Sequence, residues 1–105
     1  MSNLQGWISL HRKIQQSAIY PKGKFTKYEA WIDLLLMANH KDGQVVIGND
    51  VFDVKRGQLI RSIRSLANKW KWSPNKVRRC LKMFEDLNQI RTKSVQKATQ
   101  ITICN

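Results

Sequence analysis

Ser73-Pro74 constrains this chain more than any other pair of residues. A serine at a helix cap accepts a hydrogen bond from an orphan amide of the first turn, and a proline at the first helical position arrives with its φ already set. Trp72 before the cap and Val77 after it are placed for a hydrophobic staple, which fixes the angle of entry into the helix. Continued at helical spacing, the segment puts Val77, Leu81, Phe84 and Leu87 on an inner face. Asn75, Lys76, Arg78, Arg79 and Lys82 fall on the outer face. Upstream, Ser62 starts another helix whose apolar Ile63, Leu66, Ala67 and Trp70 form a single buried stripe. Only Lys71 and Trp72 stand between Trp70 and the Ser73 cap, so the two helices must pack across a tight turn.

The remaining segments supply what such a helix pair packs against. Thr26 and Glu29 have the spacing of a capping box and predict a helix from Lys27 to about Asn39. Its apolar residues, from Tyr28 and Trp31 to Met37 and Ala38, cover more than one face, so it needs burial on two sides. Residues 1–24 offer the second cover, as an arm with Trp7, Leu10 and Ile14 at helical spacing before Pro21 and Gly23 break the pattern. Val45 to Ile47 and Val51 to Val54 flank Gly48-Asn49-Asp50 as a hairpin, and Gln58 to Arg61 reads as a third strand. After Asn88, Ile90 to Ser94 and Thr99 to Cys104 read as two strands joined by a wing loop over Val95 to Ala98. This order predicts an α+β domain over residues 25–105, a winged helix-turn-helix preceded by a helical arm.

Charge narrows the function. The 105 residues carry 19 Lys+Arg against 7 Asp+Glu, a formal charge of +12, and no carboxylate occurs between Lys55 and Lys82. A one-signed face across two helices attracts a phosphate-rich partner. Membrane binding finds no support, since the longest apolar run, Leu34 to Ala38, is far too short to span, and Met1 to Leu10 does not resemble a signal peptide. A cytoplasmic protein is expected, with Cys80 and Cys104 as reduced thiols in or near the core. His11 and His40 have no Cys or acid at metal-ligand spacing, so neither metal nor cofactor is expected. The carboxylates, Asp33 among them, read as scattered surface groups without a paired constellation, so an enzyme is not expected. Trp70 and Trp72 read as core rather than as stacking platforms for bases.

The run from Ser62 to Ile90, with Leu66-Ala67, the Ser73 cap and Val77, resembles the helix-turn-helix of GntR-type and related bacterial winged-helix proteins. Further segments, Gly6-Trp-Ile-Ser-Leu-His-Arg-Lys-Ile, Trp31-Ile-Asp-Leu-Leu-Leu-Met-Ala-Asn-His-Lys-Asp, Lys55-Arg-Gly-Gln-Leu-Ile and Ile101-Thr-Ile-Cys-Asn, resemble the N-terminal domain of phage replisome organisers and of DnaD-type primosome proteins. That resemblance implies binding near a replication origin, often with self-association through the N-terminal segment. Full-length members usually add a C-terminal domain that the 105 residues do not contain, so helicase recruitment is not carried over, and replication proteins are expected as partners only through such a missing region. Two positions depart from the family: Lys71 stands where relatives commonly place Gly in the turn, and Asn88 where Gly often ends the recognition helix.

A helix of this kind enters the major groove of double-stranded DNA with its first turn deepest. Asn75, Lys76 and Arg79 are therefore the candidates for base edges. Ser73, Arg61, Arg64, Arg78 and Lys82 are the candidates for phosphates, with Lys93 and Lys97 in or beside the wing. Replication-origin recognition is the leading expectation. Two others stay open: a transcriptional regulator on the same fold, and an interaction module that oligomerises through Trp7, Ile8, Leu10 and Ile14 of the arm.

Overall fold

Thr26 opens the first helix through the reciprocal bonds of a capping box. Its hydroxyl accepts from the Glu29 amide at 3.1 Å, and the Glu29 carboxylate accepts from the Thr26 amide at 2.8 Å. The structure, a computed structural model, describes residues 12–104. Helix α1 spans Lys27–Met37 and stops short of the expected Asn39. Asn39 is instead committed to the next layer: its amide donates to the Gln58 carbonyl at 2.9 Å and its carbonyl accepts from Gly57 at 2.8 Å. Of the arm, Arg12–Gln16 forms a short 3-10 helix rather than an α-helical turn. Trp7, Ile8, Leu10 and His11 lie outside the described residues.

Strands β1 (Gly43–Ile47) and β2 (Asp50–Val54) form an antiparallel sheet of their own. Asp50 pairs with Ile47 as the first residue of β2, so the turn is Gly48-Asn49 alone, with Gly48 at φ 63°. Alternation sends Val45, Ile47, Phe52 and Val54 inward, against Ile60, Val95 and Ala98, as a second small core. Strand β3 (Gln58–Arg61) leads into helix α2 (Ile63–Trp70) and then helix α3 (Pro74–Asp86). Strands β4 (Ile90–Val95) and β5 (Ala98–Ile103) close a three-stranded antiparallel sheet in the order β3-β5-β4. The described residues thus form an α+β fold of three α-helices and two antiparallel sheets. The main core gathers Leu34, Leu59, Leu66, Trp70, Val77, Leu81, Phe84, Ile90 and Ile101.

Both helices of the pair end on a left-handed residue other than glycine. Lys71 sits at φ 62°, ψ 41°, and the Trp72 amide reaches back to the Ala67 carbonyl at 2.9 Å. Asn88, at φ 59°, ends α3 the same way, with the Gln89 amide on the Phe84 carbonyl at 2.9 Å. Asn adopts this region at less cost than Lys. Lys71→Gly is therefore expected to stabilise the fold by roughly 0.5–1 kcal/mol, raising the thermal midpoint by about 3–6 °C. A lowered midpoint would show that the lysine side chain contributes more than its backbone strain costs.

Asp33 overturns the expectation that every carboxylate lies on the surface, for it is only 1% exposed on α1. It accepts from the Tyr20 hydroxyl and from Gln15 Nε2 at 3.0 Å on the arm side. From α2 it receives Trp70 Nε1 at 2.9 Å and pairs with Lys69 Nζ at 3.2 Å. Burial, and then the adjacent carboxylate, push the Tyr20 hydroxyl well above its ordinary pKa, so it remains a donor. Phe25 adds a second tie: its amide donates to the Trp70 carbonyl at 3.0 Å, and its carbonyl accepts from Trp72 Nε1 at 2.8 Å. These bonds and the ring contact between Trp70 and Trp72 at 5.1 Å fix both indoles as interior groups.

Candidate functional site

Helix α3 is amphipathic as its sequence requires, except that Leu87, expected on the inner face, lies past the end of the helix and is exposed. Val77, Cys80, Leu81 and Phe84 are buried, while Asn75, Arg78, Arg79 and Lys82 are exposed on the opposite side. Ser73 caps the helix, its hydroxyl accepting from the Lys76 amide at 3.2 Å. The positive end of the helix dipole therefore coincides with the first basic residues of the face. Lys76 is only half exposed, because its ammonium leans over the Trp72 ring, 4.5 Å from the centroid.

The exposed groups make weak local bonds that a ligand can replace. Arg78 Nη1 donates to Asn75 Oδ1 at 3.2 Å, and Lys82 Nζ pairs with Asp86 Oδ1 at 2.9 Å. That hydrogen bond, with the charge of Asp86 behind it, raises the Lys82 pKa, so the ammonium is fully charged at neutral pH. Both partners stand in solvent, where ion pairs are weak and easily exchanged.

Between α3 and the β4–β5 hairpin runs an open groove of about 500 Å³, which brings Arg78 and Lys82 together with Lys97. Ser94, Thr99 and Gln96 line its other wall. Glu85 also faces it, but its carboxylate is already engaged, accepting from the Thr92 amide at 3.2 Å and hydroxyl at 2.9 Å. This bond ties the end of α3 to β4 and sets the separation of helix and hairpin. The hairpin turn holds Gln96 at φ 49°, a strained position for that residue.

Other candidates stand apart. Lys93 pairs across from Gln100 and, by strand alternation, lies on the opposite face of the sheet from Thr92 and Ser94, away from the groove. Arg61 is half-buried at the end of β3, its Nη1 donating to the Ile60 carbonyl at 3.1 Å. Arg64 is exposed in the first turn of α2. Neither lines the two grooves that flank α3. Sequence reasoning missed Lys27, which a cleft on the other flank of α3 places beside Lys76 and Arg79. No local pattern announces that proximity, since it arises only when the start of α1 packs beside α3.

Among the described residues no three His, Cys, Asp or Glu side chains come together as a metal ion would need. None of the described helices is long and apolar enough to cross a membrane. Cys80 is a buried free thiol and Cys104 a partly exposed one. Comparison with family models, curated proteins and solved structures finds no match to this chain.

Proposed function

We propose that this chain is a winged-helix domain that binds double-stranded DNA, with α3 in the major groove and the β4–β5 hairpin as the wing. The observation that carries the reading is the outer face of α3, where an amide and several cations stand exposed on a helix whose other side is anchored in the core. A cylinder of this kind fits the groove, which admits an α-helix and displays a distinct donor and acceptor pattern for each base pair. The element order, with a tight turn between α2 and α3 and the sheet order β3-β5-β4, supports the winged-helix assignment. Asn75 and Arg79 meet base edges, and Arg78, Lys82 and Lys97 meet the backbone on the wing side. The resemblance to phage replisome organisers supports a role at a replication origin. Gln15, Tyr20 and Phe25 bond to their own chain, while Trp7, Ile8 and Leu10, on which an oligomerising arm would rest, lie outside the described residues.

Titrating random duplex at several salt concentrations tests the reading. Affinity should fall steeply, with a log–log slope of about −0.9 for each phosphate neutralised. A salt-insensitive affinity removes the proposal. On a duplex selected by the protein, Arg79→Ala should mainly erase the preference over random sequence, by about 1–3 kcal/mol. Lys82→Ala should weaken both duplexes alike, and identical behaviour of the two variants would refute the division into base and backbone contacts.

A further inference from the structure

The wing-side groove accounts for one flank of α3. On the other, a cleft of about 330 Å³ opens between the first turn of α1 and α3, lined by Lys27, Lys76, Arg79, Cys80 and Met83. Its lining holds three cations and, among the described residues, no carboxylate. Glu29, in the same turn of α1, lines a different pocket, beneath the arm, and is tied to the Thr26 amide. Burial pushes the Cys80 thiol up, and the charges of Lys27 and Lys76, which line the same cleft, push against that rise. Three cations that line one cleft repel one another, and an anion between them relieves that repulsion.

A helix lying in the major groove, roughly 12 Å wide, has a row of phosphates on each side, one from each strand. Contacts to those rows set the register and orientation of the protein. Arg78, Lys82 and Lys97 face one row. We infer that the cleft between the start of α1 and α3 binds a backbone phosphate of the opposite strand, with Lys27 and Lys76 as its ligands and Arg79 at its rim. The inference rests on the reading of α3 as the groove-entering helix. It moves Lys76 from the base edges to the backbone, in keeping with an ammonium that already leans toward the flank over Trp72. It also adds α1 to the interface and makes Lys27 a contact.

The test compares the parent chain with Lys27→Ala and Lys27→Arg, by equilibrium titration of one fixed duplex over a series of salt concentrations. Lys27 is exposed at the first position of α1, so the thermal midpoints of the variants should match the parent. The parent should show a steep slope, Lys27→Ala a slope shallower by about 0.9, and Lys27→Arg the parent slope. The affinity gap between parent and Lys27→Ala should then shrink by roughly three- to fourfold from about 50 to 200 mM salt. A scan of single neutral methylphosphonates along the same duplex should find one linkage whose neutralisation weakens the parent and has no further effect on Lys27→Ala. A steep parent slope that Lys27→Ala leaves unchanged overturns this site and spares the DNA-binding reading. A shallower slope in Lys27→Arg as well assigns the effect to the start of α1 rather than to a cation, and equally overturns it. A flat parent slope overturns both.

Discussion

Asp33→Ala is expected to lower stability by about 3–5 kcal/mol, the usual cost of removing one partner from a buried ionic network. Domains of this size are stable by roughly 5–15 kcal/mol, so the thermal midpoint should drop by about 15–30 °C. The reason lies in the groups left behind. Trp70 is fully buried, and its indole N–H, which now donates to Asp33 at 2.9 Å, has no other acceptor within its hydrogen bonds. The Tyr20 hydroxyl loses the same acceptor. Lys69, with its side chain 35% exposed, can turn to water and should contribute least to the loss. Asp33→Asn keeps an acceptor oxygen and the shape of the side chain, so it should cost less, about 1–3 kcal/mol. Thermal and urea unfolding of the two variants beside the parent measure the difference. A midpoint within a few degrees of the parent for Asp33→Ala would show that the carboxylate does not clamp arm, α1 and α2 together.

Simultaneous replacement of Arg78, Arg79 and Lys82 by alanine is expected to abolish duplex binding while leaving the fold intact. All three side chains are exposed on the outer face of α3, so no core contact is lost. Hydrogen bonds to charged groups contribute about 1.5–3 kcal/mol each, which for three contacts means a loss on the order of 10³-fold or more. The salt slope should also become shallower by about 2, since two of the three are assigned to phosphates. Electrophoretic or anisotropy titration checks affinity, and circular dichroism checks the helices. Retained binding with an intact fold would place the DNA elsewhere on the molecule.

Much of this architecture was legible because its signals are local. The capping box of Thr26 and Glu29, the Ser73-Pro74 start and the stripe of Ile63, Leu66, Ala67 and Trp70 each report on a few neighbouring residues, and each element lies where its signal predicts. What escaped depends on distant pairs. Asp33 reads as a surface residue until Tyr20 and Trp70 are brought to it from either side. The end of α1 before Asn39 follows from pairing with Gln58 and Gly57, which no helix signal encodes. Alternation along β4 should have turned Lys93 away from the groove that holds Lys97, but the choice of face requires knowing where α3 lies. On α3 itself the two faces followed from spacing as far as Phe84, but Leu87, expected on the inner face, lies past the end of the helix and is exposed. The flanks did not follow from spacing, because Lys27 and Lys97 come from segments remote in sequence.

The middle strand of the three-stranded sheet, β5, is also the last of the described strands in chain order. During synthesis β3 and β4 are therefore made before their ladder partner, and the segments of α2 and α3 precede the strand that closes the sheet beneath them. Closing that sheet joins Leu59 to Ile101, a contact between remote parts of the chain whose loop-closure entropy slows folding. A chain cut before Ala98 would leave β3 and β4 without the strand they share, and Leu59 without Ile101 across from it.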